Sequence, residues 1–130
     1  MNQTPHPLDI ARRRWLAGLE AAYRQAPTAD TALAFARGCW MCGEYLAAIE
    51  AFGDAACRAP ERAESQLALV RSASMLGMRD VEDATLRVAL ERHPQSVELT
   101  LHAALRQCSD DAAGAAALLA PFAQHTQAGL

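Results

Sequence analysis

The sequence predicts an all-α fold in which antiparallel helical hairpins, about seven helices in all, stack into a short α-solenoid. Three observations predict it: residue matches 34 positions apart, glycines and prolines that punctuate each unit, and an apolar fraction dominated by alanine and leucine. Alanine and leucine favour helix, while the isoleucine, valine and aromatic residues that favour strands are scarce.

The 34-residue offset pairs Pro60 with Pro94, Gly43 with Gly77, Arg37 with Arg71 and Met41 with Met75. It also aligns Leu33, Leu67 and Leu101, and the acids Asp30, Glu64 and Glu98. Phe52 pairs with Leu86 and Ala55 with Ala89. A period of this length is the mark of a helical repeat in which each unit buries its apolar face against the next.

The elements follow in order. Residues 1–7 are polar and expected to be flexible; a single helical domain then spans 8–123. Its first helix covers 8–25, with Pro7 near its start and Pro27 past its end. Leu8, Ala11, Trp15, Leu19 and Tyr23 recur at helical spacing, so one face should cover the first hairpin or cross a groove. Arg12, Arg13 and Arg14 are expected on a solvated face.

The first repeat, 28–60, has helices from about Asp30 to Cys42 and from about Tyr45 to Arg58. Gly43 frees the turn between them, and Pro60 ends the second helix. The second repeat, 62–94, runs from Glu64 to Leu76, turns at Gly77, and continues from Val81 to Arg92 before His93-Pro94. Asp80 is placed to cap that helix, with Asp83 as the acid of a capping box. A degenerate third repeat, 96–123, opens with Ser96 as a cap and turns at Cys108-Ser109-Asp110-Asp111 without glycine. It closes with an alanine-rich helix, Ala112 to Ala120, disturbed by Pro121. Residues 124–130 are expected to form a flexible tail.

Composition excludes several function classes. The chain has 130 residues, 52% of them hydrophobic, too apolar for intrinsic disorder and long enough for a core. Twelve basic against fifteen acidic residues, a net charge of −3, argue against nucleic acid or anionic membrane as the main partner. The longest apolar run, Ala115 to Phe122, is too short to span a membrane, so no stable membrane insertion is expected. The N-terminus lacks the apolar core of a signal peptide, and a reduced, cytoplasmic protein is expected.

Catalytic and metal chemistry find little support. Cys39 and Cys42 have the spacing of a redox or metal pair. Both fall near the C-terminal end of a helix, however, where the dipole works against a thiolate. Cys57 and Cys108 supply no second close pair for zinc. His6, His93, His102 and His125 have no serine or cysteine with a carboxylate placed nearby by the sequence. Asp30, Glu64 and Glu98 begin helices, where dipole compensation accounts for them. Gly38 within a helix signals close packing, and no phosphate loop is present. No enzyme activity, metal or cofactor is expected.

With these features the sequence resembles the tetratricopeptide repeat family. In the first repeat Phe35 and Ala36 match the large and small packing residues of helix one, and Gly43 and Tyr45 match the turn and the aromatic after it. Ala48, Phe52, Ala55 and Pro60 match the packing positions of helix two and its terminal proline. In the second repeat Leu69, Gly77, Leu86, Ala89 and Pro94 match, while Val70 replaces the small residue and Glu82 stands where the first repeat has Ala48. The tryptophan and tyrosine usual in helix one are replaced by Ala32 and Cys39.

The resemblance implies that the first helix of each hairpin lines a concave, protein-binding surface. On this chain its residues are Leu33, Arg37, Trp40, Met41, Leu67, Arg71, Ser74, Met75, Leu101 and Leu105, with Asp30, Glu64, Glu98 and Cys108 as further candidates on the same helices. Leucines, methionines and a tryptophan suit an apolar or amphipathic helix of a partner, and Arg37 and Arg71 suit an acidic residue or a chain terminus. The other reading is that some of the leucines and Trp40 simply pack against the N-terminal helix. Leu33, Leu67 and Glu64 do not fit the subgroup whose basic groove clasps the acidic tail of heat-shock chaperones.

Size, repeat number and the apolar groove are similar to the small helical-repeat chaperones of bacterial type III secretion, including needle-subunit co-chaperones. That likeness implies a chaperone or assembly factor, with a homodimer or a small co-chaperone as further partner. A structural adaptor or self-associating scaffold is the alternative.

Overall fold

In the computed structural model the helices recur at the spacing of the residue matches. The structure describes residues 4, 6–108 and 112–122, and these form seven α-helices and a short 3₁₀ turn. They are α1 (Pro7–Gln25), α2 (Ala29–Met41), α3 (Tyr45–Arg58), α4 (Ala63–Met75), α5 (Arg79–Arg92), α6 (Val97–Cys108) and α7 (Ala112–Leu119). Both ends of α4 and α5 lie 34 residues after those of α2 and α3, and α6 begins 34 residues after α4. The chain is thus all-α, a stack in which each helix packs on its neighbours in sequence. The flexible tail expected at 124–130 lies outside the described residues.

Local chemistry sets most boundaries. Pro7 occupies the first position of α1, one residue earlier than expected, and His6 Nδ1 accepts from the Leu8 amide at 3.1 Å. Thr28 caps α2 through a reciprocal box with Thr31, a cap that the sequence reading missed. Gly43 and Gly77 end α2 and α4 with φ of +80° and +70°, which a side chain at Cβ would strain. Ser96 Oγ accepts from the Leu99 amide at 3.3 Å, as a cap should.

One expected cap is corrected. Helix α5 starts at Arg79, its N-cap is Met78, and no side chain caps it. Asp80 lies inside the first turn, and the Asp83 carboxylate instead accepts from Arg106 of α6 at 2.9 and 3.1 Å. With Asp80 inside the first turn and not at the N-cap, no capping box can form, and Asp83 is free to make a long-range ion pair.

Two apolar clusters hold the stack. The larger contains Ala32, Leu33, Ala36 and Cys39 of α2, Ala48, Ala51, Phe52, Ala55 and Ala56 of α3, and Leu69 of α4. Its alanines let α2 and α3 approach closely. Val70, Leu86, Ala89 and Leu99 form the smaller cluster, with Leu67 half-buried against it.

Helix α1 covers the first hairpin. A Cβ on Gly38 would lie 2.6 Å from Leu19 and 3.2 Å from Leu16, so the missing side chain makes room for α1. The Tyr23 ring packs on Phe35 with centroids 5.7 Å apart, and its hydroxyl donates to Asp54 of α3. No helix among the described residues is long and apolar enough to cross a membrane.

Candidate functional site

Five of the ten groove residues read from the sequence come together in one cleft between α2 and α4. Arg37, Trp40 and Met41 line one side, and Arg71 and Met75 line the other. The cleft has a volume of about 360 Å³, and Phe52, Ala68 and Ser72 complete its lining. Met41 and Met75, one repeat apart, are 72% and 74% exposed. No residue of α1 contributes to this lining. The first helix therefore leaves the cleft open.

Each side chain is set by its helix. Arg37, Trp40 and Met41 recur at three- and four-residue spacing on one side of α2, and Arg71 and Met75 sit four apart on α4. The Trp40 ring rests on Tyr45 at the start of α3, centroids 4.8 Å apart and planes tilted by 59°. Ser72 is turned from the cleft's polar chemistry, because its hydroxyl donates to the Ala68 carbonyl at 2.7 Å. Across the cleft Arg37 reaches Glu64 of α4 at 2.7 Å, and below it Arg62 reaches Asp30 at 2.5 Å. Two of the three helix-initial acids, Asp30 and Glu64, thus link successive repeats, a second use beyond compensating the dipole. The Arg71 guanidinium makes no ion pair among the described residues.

The other five predicted groove residues lie elsewhere. Leu33 is 5% exposed in the larger core, so it presents no surface to a partner. Leu67 packs half-buried on the smaller cluster. Ser74 is exposed outside the lining. Leu101 and Leu105 are exposed on α6, where with Val97 they form a separate apolar stripe at four-residue spacing. Shared register in a repeat does not bring shared surroundings. Phe52, expected as a packing residue, also lines the cleft.

Of the packing residues, Ala36, Ala48, Phe52, Ala55, Leu69, Leu86 and Ala89 are buried, and Phe35 and Pro60 are half-buried. Tyr45 is partly exposed and packs its ring on Trp40, and Pro94 is exposed.

Charge is buried at the second repeat. Glu82 is 2% exposed, at the position where the first repeat has Ala48. His102 Nε2 lies 2.6 Å from one of its carboxylate oxygens, and Arg106 Nε lies 3.3 Å from the other. His102 is therefore a partner of α5 across the hairpin junction, not a groove residue. His93 Nε2 lies 2.9 Å from the Pro60 carbonyl and ties the ends of the first two repeats.

The cysteines are all free thiols. Burial, followed by the neighbouring Cys42, Glu44 and Glu20, pushes the Cys39 thiol up to about 11. Such a thiol stays protonated at neutral pH, the opposite of what a redox nucleophile needs. Cys57 is exposed on α3. Among the described residues no three histidine, cysteine or acidic side chains gather as a metal site would require.

No protein-family model matches the sequence, and no curated protein matches it.

Proposed function

We propose that this chain is a tetratricopeptide-type binding protein, a chaperone or assembly factor that holds an apolar or amphipathic helix of another protein in the α2–α4 cleft. The observation that carries this reading is the pair of exposed methionines, Met41 and Met75, flanking Phe52 in an open cleft with Trp40 at its edge. Exposed methionines adapt to varied apolar side chains, and an amphipathic helix presents such side chains at matching spacing.

The short stack, its repeat number and the apolar cleft support a narrower reading. In it the chain is a cytoplasmic co-chaperone of a type III secretion system that masks an aggregation-prone helix. The second reading, a self-associating scaffold, is favoured by one feature: the exposed α6 stripe of Val97, Leu101 and Leu105, which lies outside the cleft.

The test is a pull-down from the organism's own lysate with wild type, M41E and M75E, read by mass spectrometry. Both methionines are exposed, so helicity should survive, whereas L67E would disturb the smaller core. A partner captured by wild type and lost by both variants is expected. Capture of the chain alone, or capture that survives both substitutions, overturns the chaperone reading.

A further inference from the structure

The two arginines of the cleft are equivalent by the 34-residue repeat, but only one is neutralised. Arg37 of α2 pairs with Glu64 at the start of α4. The same repeat step carries Arg37 to Arg71 and Glu64 to Glu98 at the start of α6, and the Arg71–Glu98 pair is not made among the described residues. Among these residues Arg71 is left as the unpaired cation on the wall of a cleft whose lining also holds Trp40, Met41, Phe52 and Met75, beside the paired Arg37, Ala68 and the internally bonded Ser72.

From this we infer, resting on the binding reading above, that the bound helix carries an acidic side chain that pairs with Arg71. Large apolar side chains on the same face of that helix sit against Met41, Phe52 and Met75. Charge complementarity selects the acid. A helix laid in the cleft would remove water from the Arg71 guanidinium, and an unpaired cation there opposes binding while a carboxylate restores its partner. Helical geometry places the acid and the apolar anchors together when they are three or four residues apart. A lysine at the acid's position would face Arg71 and be rejected, so the contact sets specificity more than affinity.

The experiment is a selection from a display library of helix-forming peptides randomised along one face, run against wild type, R71E and M75E. Circular dichroism first establishes that the three proteins have equal helicity. Wild type should enrich peptides with an apolar pattern at helical spacing and aspartate or glutamate at one fixed position within it. R71E should enrich lysine or arginine at that position. A synthetic peptide with glutamate there should bind wild type roughly three- to tenfold more tightly than its glutamine counterpart, an advantage lost with R71Q. Apolar helices that need Met75 but show no acidic preference would overturn the inference and leave the cleft reading standing. Selection of no peptide that depends on Met75 would overturn both.

Discussion

The first hairpin and the junction between the second and third repeats solve one packing problem in opposite ways. At Ala48 the chain uses the smallest side chain available, and α2 and α3 close around it in a core rich in alanine. At Glu82, the equivalent position, it buries a carboxylate and satisfies it from α6 with His102 and Arg106. The first solution needs only close approach and tolerates little change in volume. The second depends on partners in the next repeat. Apolar burial also declines along the stack: the in-register Leu33, Leu67 and Leu101 are buried, half-buried and exposed in turn. Helix α1 covers the first hairpin, and the described side chains of α7 include none that is buried.

Exchanging the two solutions should have the largest effect. A48E would place a carboxylate among alanines with no cation facing it, and should cost about 3–5 kcal/mol through overpacking and unpaired charge. That is a large fraction of a domain's stability, and chemical denaturation would show it. E82A should cost less, about 1–3 kcal/mol, since His102 and Arg106 can turn to water. Its effect should be local, with amide exchange faster in α6 than in α2 and α3. Equal losses for the two variants would mean that the junctions do not differ as described.

Next in size is the seat of α1. Substituting Gly38 by leucine should displace Leu16 and Leu19 and cost about 1–3 kcal/mol. Proteolysis between α1 and α2 should become faster, while G38A should stay within about 1 kcal/mol, because its helix propensity offsets the crowding. A slower cut in the leucine variant would count against this packing.

The smallest effect tests how α1 is tied to α3. Hydrogen bonding from Tyr23, with Arg58 adding to it against partial burial, holds the Asp54 carboxyl below its ordinary value. The same bond, with burial and the Asp54 charge, raises the Tyr23 hydroxyl above its ordinary value. The depressed carboxyl contributes stability that is full above the unfolded carboxylate value and is lost as pH falls through the folded one. The raised hydroxyl contributes stability below the unfolded tyrosine value that is lost as pH rises through the folded one. Y23F should therefore cost about 1 kcal/mol between roughly pH 5 and 9, and the gap to wild type should shrink below about pH 4 and above about pH 10. A gap that stays constant on acidification would show that the bond is not made.

Much of the fold was legible because glycine and proline act locally. Gly43, Gly77, Pro60 and Pro94 fixed helix ends to within one or two residues. Helix α5 starts at Arg79, two residues before Val81, with no side-chain cap to mark it, and the pairing of Asp83 with Arg106, 23 residues away, has no local signal. The Thr28–Thr31 box was visible in principle, with threonine standing where the usual glutamate or glutamine would be. The site was half legible. Helical spacing gathered Arg37, Trp40 and Met41, and the repeat carried the pattern to Arg71 and Met75. Register could not say which leucines stay exposed, because that depends on what each repeat meets on either side. Nor could it show that Glu82 would find His102 and Arg106.

The most direct test of the cleft is hydrogen exchange read by mass spectrometry, comparing the free chain with its complex with the captured partner. Added protection is expected in the C-terminal halves of α2 and α4, around Arg37 to Met41 and Ala68 to Met75. Protection confined to Val97 through Leu105 of α6 would contradict it and make the exposed stripe the binding surface.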